Sequence, residues 1–158
     1  MNKMFKTRSG RNISYYGNEY SKEINRTGNK CHTIDSLDCL FKILLNVWCR
    51  DTAYPSCQND YDQGNDPTYG QCAITATIVC DMFGGTIHKV RVSGGGTHYF
   101  NKINGHYIDL TSDQFDLYQI PLIYDINEQI SREYCGKNAD TLKRYKLLVK
   151  LIADVTSK

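Results

Sequence analysis

The sequence predicts an α+β domain, with a cysteine-headed helix packed on a small antiparallel sheet. Three observations lead there. Residues 71–83 run Gln71-Cys72-Ala73 into a largely apolar helical pattern that stops at Gly84-Gly85. Residues 97–111 form two alternating runs around Asn104-Gly105, the preferred pair for a two-residue type I′ hairpin turn. Two further amphipathic stretches, 36–48 and 139–154, flank these segments, so helices gather at both ends of a run of sequence-adjacent strands.

The elements follow in order. Residues 1–30 hold seven Lys/Arg against Glu19 and Glu23, a net of +5 that leaves about −3 for the other 128 residues. Their apolar residues, Met4, Phe5, Ile13, Tyr15, Tyr16 and Tyr20, show no period, so a basic, irregular extension is expected, with one domain over 31–158. Its tyrosines interleave with Lys and Arg, but that alone does not make nucleic acid the expected partner. The helix over 36–48 has Asp35 as a plausible N-cap and a stripe of Leu37, Leu40, Phe41, Leu44, Leu45 and Trp48. Residues 50–69, broken by Pro55, Gly64 and Pro67, read as a long loop bordering Cys72. After the helix at 71–83, residues 86–92 alternate as a strand, and Ser93-Gly94-Gly95-Gly96 connects it to the hairpin. Without a following helix or a Lys-Ser/Thr pair these glycines are no phosphate loop; they permit close backbone approach near His98. Thr111-Ser112-Asp113 caps a short helical turn, residues 126–134 fit a short helix, and Asn138 caps a closing helix with Leu142, Tyr145, Leu148, Val149 and Ile152 on one face.

Composition excludes several classes. At 158 residues the chain can bury about 68–70% of its unfolded surface and needs no disulfides to fold. Its seven cysteines, an odd number without a secretory signal pattern, point to a reducing cytoplasm. No run approaches 18 apolar residues, so no membrane partner is expected. Cys31, His32, Cys39, Cys49 and Cys57 offer soft ligands but lack the Cys-x2-Cys spacing, so neither metal nor cofactor is expected.

The chemistry concentrates in Cys72, His98 and Asp109. Taking Asn104-Gly105 as the turn pairs Ile103 with His106 and Phe100 with Asp109, which makes His98 and Asp109 diagonal neighbours on one face. Asn101 points to the other. Cys72 falls in the first turn of its helix, where unpaired N–H groups and the helix dipole favour a thiolate and can bind an oxyanion. A cysteine nucleophile needs a base and a group that orients it; His98 and Asp109 fit those roles, with Gln71 and Asn101 as substrate or oxyanion candidates.

Gly70-Gln71-Cys72-Ala73-Ile74-Thr75-Ala76, Asp81-Met82-Phe83-Gly84-Gly85, His98-Tyr99-Phe100-Asn101 and Ile108-Asp109-Leu110-Thr111 resemble the YunG family of small bacterial proteins. Trp48-Cys49-Arg50-Asp51-Thr52-Ala53-Tyr54-Pro55 and Ser131-Arg132-Glu133-Tyr134 extend the likeness over roughly residues 34–148. More distantly, Tyr69-Gly70-Gln71-Cys72 followed by histidine and aspartate is similar to transglutaminase-like and papain-like cysteine enzymes, although Ala73 stands where a tryptophan is common. That resemblance implies a cysteine opening a helix with histidine and aspartate on adjacent strands. The expectation is a cysteine-dependent acyl-transfer enzyme, a hydrolase, deamidase or transamidase, taking a peptide, amide or other acyl substrate in a cleft at Cys72. The alternative is a non-catalytic binding module on the same frame.

Overall fold

The computed structural model describes residues 3–27 and 33–157. Cys31 and His32, weighed above as metal ligands, lie outside that range.

Helix α1, Leu37–Val47, buries Leu37, Leu40, Phe41, Leu44 and Leu45, the stripe its periodicity predicts. Its N-cap is Ser36 rather than Asp35, with the Ser36 hydroxyl accepting from the Cys39 amide at 3.1 Å. Helix α2, Cys72–Phe83, has buried side chains on most of its circumference. It lies against the strand over Thr97–Ile103 and the closing helix.

Strands β3 (Thr86–Arg91), β4 (Thr97–Ile103), β5 (His106–Ile108) and β6 (Glu128–Ile130) form one antiparallel sheet in the order β5-β4-β3-β6. The β4–β5 register is Asn101 with Ile108, Lys102 with Tyr107 and Ile103 with His106, as the Asn104-Gly105 turn dictates. Both turn residues have positive φ, 52° and 81°. The class is therefore α+β.

One expectation fails in the C-terminal third. Residues 128–130 are an edge strand, not helix, and residues 132–137 form a 3₁₀ turn. Ile126 and Ile130, four apart, mimic a helical period, but the strand is only three residues long and its backbone is satisfied by β3, with Ile87 opposite Ile130. After the four-residue helix α3, Asp113–Asp116, and β6 comes α4, Ala139–Thr156, capped by the Asn138 carboxamide, which accepts from the Asp140 and Thr141 amides. Of its predicted face only Leu148 and Ile152 are fully buried; Arg144 is buried as well, at 4% exposure.

The basic lead is the larger correction. Residues 3–27 are not an irregular appendage: Phe5, Ile13, Tyr15 and Ile24 belong to the main apolar core. A small ladder, β1 (Phe5–Lys6) with β2 (Asn12–Ile13), starts it, followed by a 3₁₀ turn over Asn18–Glu23. The Tyr15 ring lies 4.9 Å from Phe41, and its hydroxyl donates to the Asp38 carboxylate at 2.6 Å. Two-residue strands carry no readable period, which is why the sequence pattern concealed this packing.

Candidate active site

Cys72 is the first residue of α2, and the architecture around it fixes where that helix begins. Gln71 caps it and is wholly buried. The Gln71 carboxamide accepts from the Thr52 hydroxyl at 2.8 Å and donates to the Cys49 carbonyl at 3.0 Å. The first carbonyl taken up by the helix is that of Gln71, bonded by the Thr75 amide at 3.2 Å. The amides of Cys72, Ala73 and Ile74 therefore precede the ladder and have no intrahelical acceptor.

His98 sits on β4 with 0% exposure. Its Nε2 meets the Asp109 Oδ2 at 2.6 Å, and its Nδ1 is buried without a partner of standard hydrogen-bond geometry among the described residues. Burial by itself would lower the pKa of this imidazole; the charge and hydrogen bond of Asp109 override it, the Cys72 thiol adds to the effect, and the net result is a rise to about 10. Asp109 already occupies Nε2, so Nδ1 is the nitrogen left for Cys72. The edge of Phe115 packs against the ring at 4.6 Å between centroids.

Asp109 is held from four directions. Its Oδ1 accepts from the Thr111 amide and hydroxyl at 3.1 and 3.2 Å, and its Oδ2 accepts from Tyr124 at 2.8 Å as well as from His98. Its backbone is clasped by Tyr16, whose N–H donates to the Asp109 carbonyl at 3.2 Å and whose carbonyl accepts from the Asp109 N–H at 3.0 Å. Tyr16 and Tyr124 stack at 4.2 Å. Burial, then the Asp109 charge, pushes the Tyr124 phenol well above its ordinary value, so it stays a proton donor to the carboxylate. Neither tyrosine stands out as a site residue in the sequence, because Tyr124 falls in an unpatterned stretch and Tyr16 in the basic lead.

Cys72, His98 and Asp109 are thus brought together. Gln71 and Asn101 are not part of that constellation through their side chains. The Gln71 carboxamide anchors the start of the helix, and the Asn101 side chain, 2% exposed, donates to the Ala76 carbonyl of α2 at 2.9 Å. Gln114 stands closer to the thiol's surroundings: it borders the same cleft as Cys72, donates to the Thr111 carbonyl at 3.0 Å and accepts from the Gly70 amide at 3.5 Å.

The half-buried Cys72 opens on a cleft of about 880 Å³. Tyr54 and Cys57 from the long loop line it, together with Gly95 and Gly96 from the glycine connection. Both segments were expected near the site. No group of three or more metal-ligating side chains occurs among the described residues.

A family model described as YunG protein matches residues 36–157. The chain belongs to the YunG family. An uncharacterized YunG protein of Bacillus subtilis strain 168 is 48% identical over 58 residues, a match that spans 37% of this chain and 47% of that relative. The YunG-family chain therefore spans about half the length of the curated relative it matches. No solved structure matches it. Among the described residues no helix is long and apolar enough to cross a membrane.

Proposed function

We propose that this YunG-family chain is a cysteine-dependent acyl-transfer enzyme working through a thioester, on a frame like that of the papain-like and transglutaminase-like enzymes. One observation carries the reading: an imidazole with no solvent exposure is bonded to a fixed carboxylate through one nitrogen, its other nitrogen has no partner of standard hydrogen-bond geometry among the described residues, and the neighbouring thiol at a helix N-terminus reaches the cleft. A buried histidine needs one polar partner for stability; a second nitrogen left for a cysteine is the arrangement that nucleophilic catalysis requires.

In the proposed cycle His98 holds the proton and Cys72 Sγ attacks the acyl carbon as thiolate. The C–S bond forms, the carbonyl electrons move onto oxygen, and the free amides at the head of α2 are the nearest built-in donors for that oxyanion. The tetrahedral intermediate collapses as His98 delivers its proton to the departing amine or alkoxide, leaving a thioester and a neutral imidazole. Water or an amine, deprotonated by His98, then attacks the thioester and releases Cys72. Asp109 neither attacks nor accepts the proton; it keeps the ring oriented and offsets the imidazolium charge.

The test is alkylation of the full chain by iodoacetamide at mildly acidic pH, with the labelled peptide located by mass spectrometry. Stoichiometric labelling at Cys72 well below pH 8.5, the range of an ordinary cysteine, is the expected result. A Cys72 no more reactive than Cys39 or Cys80 defeats the reading and leaves a binding module. Profiling with acyl and glutamine-like probes then identifies the leaving group.

A further inference from the structure

The cleft in front of Cys72 has a one-signed charge lining. Among the residues that line it, the charged side chains are Lys137 and Arg144, and no aspartate or glutamate is present. Arg144 is 4% exposed, an expensive position for a guanidinium that serves only the fold. Its Nε donates to Asp140 at 2.9 Å, Nη1 to the Thr52 carbonyl at 3.2 Å and Nη2 to the Thr141 hydroxyl at 3.3 Å, which uses three of the five N–H donors of the group. Asp140, its acidic partner, is half exposed and does not line the cleft.

The aromatic walls repeat the sign. The Arg144 guanidinium lies 5.6 Å from the centroid of the Tyr54 ring, and two ammonium groups, Lys89 at 5.0 Å and Lys137 at 6.0 Å, lie over Tyr134. Tyr54 and Tyr134 both face the cleft, so each carries a cation at its margin. Lys89 has the exposed Glu128 as its counter-ion among the described residues, at 3.6 Å. Around a thiol that must meet an acyl group, this wall repels a cationic donor and concentrates an anionic one.

Resting on the acyl-transfer reading, we infer that the acyl donor carries a carboxylate of its own, seated between Lys137 and Arg144 while its carbonyl carbon meets Cys72. The tyrosines supply flat apolar surface for the short chain between the two groups, and the two spare N–H donors of the guanidinium match the two oxygens of a carboxylate. A dicarboxylic half-amide and an acidic residue of a peptide share this chemistry.

The experiment compares alkylation of Cys72 by iodoacetate and by iodoacetamide, two reagents that both lose iodide to the thiolate and differ chiefly in charge. The rate ratio is measured on the full chain, with Cys57 and Cys72 resolved by peptide mass spectrometry, and set against the ratio for free cysteine. The expected result is a ratio several-fold in favour of iodoacetate. It falls roughly two- to threefold in Lys137→Gln and further in Lys137→Glu, as a single unit charge nearby in a water-like medium would produce, and it is unchanged in Lys150→Gln on the far part of α4. Glutarate or a glutamate-containing peptide then slows labelling where glutaramide does not, and whichever protects better assigns the source. A ratio equal to that of free cysteine, or one untouched by Lys137→Glu and Arg144→Lys alike, overturns the carboxylate site, because His98 alone would then account for any preference. Failure of both reagents to label Cys72 faster than free cysteine instead defeats the acyl-transfer reading, so the two failures are distinct.

Discussion

Three side chains divide the proposed labour unevenly, and substitution separates them. Cys72→Ala removes the sulfur and is expected to abolish turnover. His98→Ala is expected to leave a thiol that alkylates only as pH approaches about 8.5. Asp109→Asn is expected to be mild in labelling but costly in turnover, on the order of 10⁴ by analogy with the Ser-His-Asp template. Asn101→Ala removes a buried donor from the Ala76 carbonyl and so costs stability, about 1–3 kcal/mol by urea denaturation, far more than it costs turnover. Should Asn101→Ala prove the worse of the two for turnover, Asn101 rather than Asp109 orients the imidazole.

The His98–Asp109 pair also has a pH signature. The folded imidazole titrates above its ordinary 6.5, at about 10, so the pair's contribution to stability is complete below pH 6.5 and is lost as pH rises through that interval toward 10. Thermal melts of the native chain and of His98→Gln are expected to converge over that interval. Parallel curves would mean that His98 is neutral in the folded state.

At the level of elements, what the sequence discloses depends on period. The helices at 36–48, 71–83 and 139–154 are long enough to declare an apolar stripe, and the Asn104-Gly105 turn fixes a register that sets His98 against Asp109. The remainder is carried by pieces too short to repeat: β6 is three residues, and β1 and β2 are two each. Tyr124 is equally silent, since a single hydroxyl reaching Asp109 leaves no pattern in the chain. Gln71 misleads for the opposite reason, its place beside Cys72 suggesting a donor while its carboxamide is spent on Thr52 and Cys49. A tight joint beside these short pieces is Gly17, whose φ is 92° and where a Cβ would stand 2.4 Å from the Tyr107 carbonyl oxygen. Gly17→Ala is expected to combine the left-handed backbone cost of about 1–2 kcal/mol with that clash, lowering the denaturation midpoint and loosening the neighbouring Tyr16 clasp on Asp109. Midpoint and Cys72 labelling rate together check this; an unchanged midpoint would show that the lead lifts away from the hairpin freely.

For the molecule as a whole, the lead supplies part of the main core. Phe5, Ile13, Tyr15 and Ile24 are buried in the main core. At about 1.5–3 kcal/mol for each such side chain, their removal costs roughly 6–12 kcal/mol, comparable to the entire stability of an ordinary domain. Deletion of residues 1–29 is therefore expected to yield an unfolded or aggregating chain, seen as loss of the cooperative melt. A truncated chain that melts cooperatively and still labels at Cys72 would show that the region matched by the family model suffices.

The bond between Tyr16 and Asp109 has a consequence for the order of events during synthesis. The lead can close its own small ladder early, but the Tyr16 backbone must wait for Asp109, more than ninety positions later, before it finds its partner. Helix α1 can form early, and Cys72 emerges well before His98, Asp109 and Tyr124. Until the hairpin is out, Cys72 is without His98 and His98 is without Asp109. On the proposed reading, a growing chain carries an ordinary thiol until His98, Asp109 and Tyr124 have emerged.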